Sequence, residues 1–373
     1  VHSCNQKAVE LLGLGSKYGL HKIPIGDDFR IDLAALAAAI TLTVVEPTSN
    51  GIGSDAFAIV WDGNRIHGLN ASGRAPAGWT SDYFRARYPG RSKPPERGID
   101  SVTIPGCVRA WQALHERFCR LPFERLFSAA IRYAGDGFLL SPITAESWAR
   151  QAEAIKEPDF ARAFLLDGVP PRAGSAWRFR DQAETLQEIA STHGESFYSG
   201  RLAERMVVHS RSLGGRHEMQ DFSSAVCDWV EPISVDYRGY TLHEIPPNGQ
   251  GLAALVALGL LREFDLAEYP VDSTDSVHLQ LEAMKLAFAD RAYWLGDPDF
   301  APVPRGLIDK AYAKQIMRAA SIPTAEGRSF DSYEAAMRYA DARGEEPLVV
   351  KAAGLCAGKG VSVCSSKSEA LEA

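Results

Sequence analysis

The sequence predicts an α+β fold, with helices and strands alternating irregularly along 373 residues. Two observations support this prediction. Apolar residues recur at helical spacing over residues 274–295, and two short strand-like runs flank a turn within residues 56–70. Because the strands and helices do not alternate regularly, a layered α+β body is expected rather than a series of βαβ units.

The first elements of this body are a helix and a hairpin. Leu33, Leu36, Ala37 and Ile40 recur at helical spacing, and Pro47 ends this run because proline restricts the residue before it. Residues 48–53 form a predicted glycine-containing loop, whose simplest interpretation is a tight turn. Residues 56–61 and 65–70 are predicted strands joined by a turn at residues 62–64.

Residues 81–230 are predicted to be mostly helical, including a short helix over 185–193 that ends at Gly194. Residues 237–243 alternate like a strand, residues 246–251 form a predicted loop, and the apolar run 252–264 indicates a buried helix.

The helix predicted over residues 274–295 has the clearest pattern. Its apolar positions are spaced by four, three and four residues, which predicts one buried face made by Val277, Leu281, Met284 and Phe288.

Composition and charge exclude several function classes. The chain has 46% hydrophobic and 23% charged residues, as is typical of globular proteins, and a net charge of −7 without a basic block, so a nucleic-acid partner is not expected. The longest apolar stretch, residues 33–45, is too short to span a bilayer, so no membrane partner is expected. No signal peptide is visible at the start, which favours a cytoplasmic location.

The six cysteines have no paired spacing, and no H-E-x-x-H motif occurs, so free thiols and no metal site are expected.

Short motifs follow one another through the middle of the chain: Gly51-Ile52-Gly53, Ser72-Gly73-Arg74-Ala75-Pro76, Ile104-Pro105-Gly106, Phe197-Tyr198-Ser199-Gly200, Tyr237-Arg238-Gly239-Tyr240 and Leu295-Gly296-Asp297-Pro298-Asp299. In this order, over residues 41–312, they resemble the large chain of the γ-glutamyltransferase family, also called glutathione hydrolases. Within this family, the sequence is more similar to bacterial acylase-like members than to the best-studied transferases.

This resemblance implies an N-terminal-nucleophile hydrolase fold with αββα layers, here incomplete and flanked by foreign terminal segments. It implies a precursor that cleaves itself and frees a threonine, whose hydroxyl attacks a γ-glutamyl amide with its own α-amine as the base. It also implies a small γ-glutamyl compound such as glutathione as the partner, and no cofactor.

Arg74 is the candidate substrate-binding residue. In the family an arginine holds the α-carboxylate of the glutamyl donor, which suits a bidentate guanidinium. The common family pattern is Arg-Glu-x-Ala-Pro, so Arg74 lies two residues later than expected when the prolines are aligned. A shift of two residues on an extended strand keeps a side chain on the same face. The alternative is a surface arginine that follows a strand.

The family's nucleophile is missing from this sequence. The family places Thr-Thr-His or a close relative at the cleavage point, whereas the only threonine after Ile308 is Thr324, between a proline and a helix-like run. The family's oxyanion-hole glycines are absent as well. The sequence therefore predicts no catalytic residue in this chain.

The C-terminal segment, residues 313–373, carries Leu348-Val349-Val350-Lys351 followed by Ala357-Gly358-Lys359-Gly360. From about residue 315 it resembles phosphoribosylamine–glycine ligase, an ATP-grasp enzyme. In that family Lys351 and the glycine loop containing Lys359 would contact ATP phosphates, as backbone amides and a lysine can. The carboxylates that would bind Mg²⁺ are missing, so the alternative is a strand–turn–strand with a solvated lysine.

The N-terminal segment, residues 1–40, contains His2-Ser3-Cys4-Asn5-Gln6-Lys7-Ala8 and Asp27-Asp28-Phe29-Arg30. It resembles a pyridoxal-phosphate-dependent decarboxylase of the aromatic amino acid type. The Schiff-base lysine motif of that family is absent, so cofactor chemistry is not expected.

The sequence thus predicts a composite chain whose main body is γ-glutamyltransferase-like and which is inactive as written. The alternatives are a non-enzymatic composite chain and residual ATP or phosphate binding by the C-terminal segment.

Overall fold

The computed structural model describes residues 33–319, 330, 332–342, 348–351, 361–364 and 366–372. It divides into two compact units. The first unit contains the described residues up to Leu252 together with Arg291–Val303, and the second contains Ala253–Asp290 and the described residues from Pro304 onward.

The first unit contains ten α-helices among its described residues: α1 (Leu33–Val45), α2 (Ser81–Arg87), α3 (Cys107–Phe118), α4 (Ser128–Asp136), α5 (Pro142–Ala154), α6 (Pro158–Phe164), α7 (Arg180–Ser191), α8 (Glu195–Ser199), α9 (Arg201–Ser212) and α10 (Met219–Ser223). Its strands are β1 (Ala56–Trp61), β2 (Ile66–Ala71), β3 (Phe138–Leu139), β4 (Ala176–Trp177), β5 (Asp228–Val230), β6 (Ile233–Tyr237) and β7 (Tyr240–Glu244). Short 3₁₀ helices lie at Ile99–Ser101 and Phe123–Phe127.

Helices α11 (Gly251–Leu261) and α12 (Thr274–Trp294) run across the boundaries of the two units along the chain. The remaining described elements are α13 (Lys310–Ala319), α14 (Tyr333–Ala342), β8 (Leu348–Lys351), β9 (Val361–Cys364), α15 (Lys367–Glu372) and 3₁₀ helices at Leu266–Glu268 and Arg305–Ile308. The predicted helices at 252–264 and 274–295 are therefore confirmed to within a few residues.

The three-stranded sheet of the first unit has the order β1-β2-β5 and is antiparallel throughout. The predicted hairpin is confirmed, with Ala56 opposite Ala71. Asn70 on β2 lies opposite Asp228 on β5. This register brings the end of β2 beside the start of β5, and the candidate site lies there.

The core of the first unit packs helices against this sheet. Its completely or almost completely buried side chains are mostly large and apolar: Ile40, Val44, Leu69, Phe127, Trp148, Leu186, Ile189 and Tyr198. The two polar groups in this set have partners, since Trp148 Nε1 donates to the Phe164 carbonyl oxygen at 2.9 Å and the Tyr198 hydroxyl donates to the Pro105 carbonyl oxygen at 2.8 Å. Burying polar groups with partners avoids the cost of desolvating them unpaired.

The strand predicted over residues 237–243 is wrong in its extent. The structure has two strands, β6 and β7, joined by a turn at Arg238 and Gly239, whose φ angles are 50° and 82°. Two consecutive positive φ values are typical of the tight turns that join hairpin strands. The alternation of aromatic and polar residues therefore continues through a reversal of the chain.

The predicted buried face of α12 is also displaced by one residue. The buried positions are Ser276, Gln280, Ala283 and Ala287, whereas Leu281 is 52% exposed. Both stripes have the same four-three-four spacing, so periodicity alone does not decide which one faces inward. Small side chains allow a helix backbone to pack closely, and Gln280 Nε2 donates to the Ser276 carbonyl and hydroxyl oxygens.

In the C-terminal part of the second unit, β8 pairs with β9 in an antiparallel hairpin in which Lys351 lies opposite Val361. Ala340, Cys364 and Ala370 are buried. Lys359 lies outside the described residues, as does most of the N-terminal segment 1–40.

Candidate functional site

Arg74 lies beyond the end of β2, in a segment that touches the chain around Ile104. The Arg74 carbonyl oxygen accepts a hydrogen bond from the Ile104 N–H at 2.9 Å. A Cβ atom on Gly73 would lie 2.0 Å from the Ile104 carbonyl oxygen, and one on Gly106 would lie 1.9 Å from the Ala71 carbonyl oxygen. Only glycine allows this approach. Since β2 ends at Ala71, this contact rather than strand alternation sets the direction of Arg74.

A network of side-chain hydrogen bonds holds the residues in front of Arg74. Asn248 donates to Ser72 Oγ at 2.7 Å, and its Oδ1 accepts from Asn70 Nδ2 at 2.9 Å. Asn70 Oδ1 accepts from the Ser72 N–H at 3.0 Å. Asp55 accepts from the Gly73 N–H at 2.6 Å and from the Ser72 hydroxyl at 3.4 Å. Two separate loops therefore fix the backbone that carries Arg74.

The guanidinium of Arg74 faces three carboxylates. Its Nη1 lies 2.7 Å from Asp299 Oδ2 and 3.5 Å from Asp297 Oδ2, and its Nη2 lies 3.9 Å from Asp228 Oδ2. The hydrogen bond with Asp299, together with the nearby charges of Asp297 and Asp228, raises the pKa of Arg74. The side chain is still 46% exposed, so an anion in solution can reach it.

Cys107 lies next to this site at the start of α3, and its thiol donates to the Ile52 carbonyl oxygen at 3.0 Å. Burial raises the pKa of the Cys107 thiol to about 12. Because the thiolate is the reactive form of cysteine, this thiol is not a nucleophile near neutral pH.

Burial raises the pKa of the Asp55 carboxyl above its ordinary value, although the hydrogen bonds from Gly73 and Ser72 act in the opposite direction. The native state then binds protons more tightly than the unfolded state, so the Asp55 charge costs stability at neutral pH. This cost is removed as the pH falls through the raised pKa toward 3.8.

Asp55→Asn is therefore expected to raise the free energy of unfolding at pH 7 by up to about 1 kcal/mol, because the amide oxygen still accepts from Gly73. Urea unfolding at pH 7 and pH 4 measures this, and the difference from the parent should shrink at pH 4. Asp55→Ala, which lacks the acceptor, should lower stability at both pH values. An Asn variant less stable than the parent at pH 7 would contradict the direction of the pKa shift.

Sequence reasoning named Arg74 as a candidate but did not name the residues around it. Asp297 and Asp299 belong to a recognised motif without an assigned chemical role, and Asn248 was part of a predicted loop. The sequence does not indicate that these charged and amide side chains share a site with Arg74, because they are distant from it along the chain. Of the two lysines predicted to contact ATP phosphates, Lys351 ends β8 and Lys359 is outside the described residues.

The described residues show no metal-binding cluster and no membrane-spanning helix. They contain no group of three or more His, Cys, Asp or Glu side chains placed to hold a metal ion. No helix among them is long and apolar enough to cross a membrane.

Known proteins match this chain over most of its length. Residues 31–354 match the family model of gamma-glutamyltranspeptidase. The glutathione hydrolase-like YwrD proenzyme of Bacillus subtilis is 34% identical over 288 residues, which cover 76% of this chain and 54% of that protein. The acylase ACY 1 proenzyme of Pseudomonas sp. strain V22 is 32% identical over 309 residues, covering 80% of this chain and 55% of that protein. The chain spans about half the length of the curated relatives it matches.

Solved structures give the same result. Cephalosporin acylase from Bacillus halodurans superposes with a TM-score of 0.72 at 39% identity, covering 85% of this chain and 58% of that one. The gamma-glutamyltranspeptidase of Helicobacter pylori superposes with a TM-score of 0.73 at 26% identity, covering 81% of this chain and 90% of that one. The predicted N-terminal-nucleophile hydrolase fold is thereby confirmed. The chain belongs to the gamma-glutamyltranspeptidase family.

Proposed function

We propose that this chain carries the donor-holding part of an enzyme that transfers or hydrolyses γ-glutamyl amides, and that Arg74 binds the α-carboxylate of the donor. The observation that carries the proposal is the half-exposed guanidinium of Arg74, held on a backbone that two loops fix. A fixed guanidinium recognises a carboxylate with charge-assisted hydrogen bonds. Glutathione is the expected type of donor.

The chemistry itself needs groups that this sequence does not supply. In the reaction of the family, a threonine hydroxyl attacks the γ-carbonyl carbon, the C–N bond breaks and the amine leaves with a proton. The γ-glutamyl group is then bound to the threonine as an ester. Water or an acceptor amine takes it from this ester. The only threonine after Ile308 is Thr324, in an Ile-Pro-Thr-Ala setting, and Cys107 is protonated and buried. The 373-residue chain is therefore proposed to be inactive as written.

The proposed division of the chain leaves residues 41–312 as the γ-glutamyltransferase-like body, with a decarboxylase-like segment over 1–40 and an ATP-grasp-like segment over 313–373. The family match reaches residue 354, so it overlaps the last segment. A non-enzymatic composite chain and residual ATP binding through Lys351 and Lys359 are the alternatives. Titration with ATP tests the second of these.

Incubating the 373-residue chain with a chromogenic γ-glutamyl anilide is expected to release no anilide above the buffer rate. Gel electrophoresis and intact mass should show one species of 40.6 kDa without self-cleavage. Replacing the residues after Ile308 with the C-terminal half of a glutathione hydrolase is the positive control, and it should restore processing and turnover. Turnover by the unmodified chain would show that it contains its own nucleophile.

A further inference from the structure

We propose that Asn50 is a site of spontaneous covalent modification, at which the folded chain converts asparagine to aspartate and isoaspartate. The chain contains two Asn-Gly pairs, Asn50-Gly51 and Asn248-Gly249. An asparagine before glycine is prone to this reaction, because a residue without a Cβ leaves its backbone nitrogen open to the preceding side chain. The structure places the two pairs in different surroundings, and only Asn50 is free to react. Its reactivity does not depend on the role proposed for Arg74.

The reaction needs only Asn50, Gly51 and water. The Gly51 backbone nitrogen attacks the Asn50 Cγ carbon, and the bond between Cγ and Nδ2 breaks. Ammonia leaves with the proton of the Gly51 nitrogen, and a cyclic succinimide remains. Water then opens the ring at either carbonyl carbon. One opening gives aspartate, and the other gives isoaspartate, in which the main chain runs through Cβ and Cγ. An amide is exchanged for an acid in both cases, and nothing is oxidised or reduced.

Both reacting groups of the Asn50 pair are available. The Asn50 side chain is partly exposed and makes no hydrogen bond with any described residue. The Gly51 N–H donates to no carbonyl oxygen among the described residues. A Cβ on Gly51 would have no neighbour closer than 4.0 Å, and one on Gly53 would have none within 4 Å. The loop therefore leaves room for the ring to form and for water to reach it.

Asn248 is held away from the same reaction by the network in front of Arg74. Its Nδ2 donates to Ser72 Oγ at 2.7 Å, and its Oδ1 accepts from Asn70 Nδ2 at 2.9 Å. The side chain must give up both hydrogen bonds before it can turn toward the Gly249 nitrogen. Losing two net hydrogen bonds slows the reaction by roughly tenfold or more. The two identical pairs should therefore react at different rates in the folded chain.

The loop that contains Asn50 is joined to the start of α3 by backbone hydrogen bonds. The Gly51 carbonyl oxygen accepts from the Ser54 N–H at 3.1 Å. The Ser54 carbonyl oxygen in turn accepts from the N–H groups of Gly106 at 3.2 Å and Cys107 at 3.0 Å. Isoaspartate lengthens the main chain directly before Gly51, so these bonds cannot all keep their geometry. The isoaspartate form should therefore be less stable than the parent chain.

Incubating the 373-residue chain at pH 8 and 37 °C tests the proposal, since a basic solution removes the proton of the attacking nitrogen. Samples are digested with trypsin and analysed by mass spectrometry, and a sample taken at time zero corrects for conversion during digestion. Peptide 31–65 contains Asn50, and peptide 239–262 contains Asn248. The first peptide should gain the mass that an acid adds over an amide, roughly tenfold faster than the second or more.

The matched control is the same chain unfolded in urea, in which neither side chain is held and both peptides should convert at similar rates. In the folded chain, Gly51→Ala should slow the conversion of peptide 31–65, because a methyl group shields the attacking nitrogen, and the structure has room for that methyl group. Ser72→Ala removes the acceptor of the Asn248 amide and should speed the conversion of peptide 239–262.

Four results would overturn the proposal or one of its parts. If peptide 31–65 of the folded chain stays unmodified while the unfolded chain converts, Asn50 is not a modification site. Equal rates for the two peptides in the folded chain would show that the network does not protect Asn248. A Gly51→Ala chain that converts at the parent's rate would exclude the Gly51 nitrogen as the attacking group. The isoaspartate form, separated by ion exchange, should unfold at a lower urea concentration than the parent, and an equal midpoint would contradict the expected loss of stability.

Discussion

Replacing Gly106 with alanine is expected to destabilise the first unit by about 3 kcal/mol or more. The new Cβ would lie 1.9 Å from the Ala71 carbonyl oxygen and 2.8 Å from the Ala71 carbonyl carbon. Both are backbone atoms at the end of β2, so no side chain can rotate away to make room. The segments around residues 71 and 106 must then separate, which breaks the contact that orients Arg74.

The midpoint of urea unfolding, followed by tryptophan fluorescence, measures the effect. Gly73→Ala should behave similarly, since its Cβ would lie 2.0 Å from the Ile104 carbonyl oxygen. The matched control is Gly259→Ala in helix α11, where no atom lies within 4 Å of the new Cβ. That variant should be more stable by about 0.5–1 kcal/mol, because alanine favours a helix interior. A Gly106→Ala protein that unfolds at the parent's urea concentration would show that the two segments are not in contact.

The contact between the segments around residues 71 and 106 is a part of the fold that the sequence does not predict. Gly106 stands in a recognised motif, but no local pattern states that its partner is the carbonyl group of Ala71. Hairpin β1–β2 could be predicted, because a turn signal and two flanking strands are local features. The close approach of residues 71 and 106 is non-local, and only the folded chain reveals it.

Two predictions were wrong for a related reason: the buried face of α12 and the extent of the strand over residues 237–243. Helix α12 has two adjacent stripes with the same spacing, so the sequence predicts a helix but not its buried face. At Arg238 and Gly239, the aromatic residues on both sides continue the alternation through a turn. In both cases the local pattern is compatible with two structures, and packing decides between them.

The candidate site around Arg74 could also be predicted only in part from the sequence. Arg74 could be named as a candidate because the resemblance assigns a role to an arginine at that place, and this role remains a prediction. Asp228, Asp297 and Asp299 could not, because they are far from Arg74 in sequence and aspartates are common on surfaces. Their significance comes from distances of 2.7–3.9 Å to one guanidinium, which only the fold establishes.

The second prediction uses a protein completed with the C-terminal half of a glutathione hydrolase after Ile308. In this protein, Arg74→Ala is expected to lower kcat/KM for γ-glutamyl anilide by roughly 10- to 100-fold. This is the loss expected when charge-assisted hydrogen bonds are removed. The loss should appear mainly in KM. Arg74 binds the donor at the end remote from the scissile amide, and a contact made equally in the ground and transition states changes KM and not kcat.

Two further variants make this result specific to the carboxylate contact. Arg74→Lys keeps the charge but not the planar fork, so it should recover part of the loss. Arg85→Ala removes an exposed arginine that pairs with Asp82, and it should match the parent. Gel analysis confirms that each variant is processed, since an unprocessed chain would lower kcat instead. A processed Arg74→Ala protein with the parent's KM would mean that the donor's carboxylate is held elsewhere, and that Arg74 only pairs with Asp297 and Asp299 at the surface.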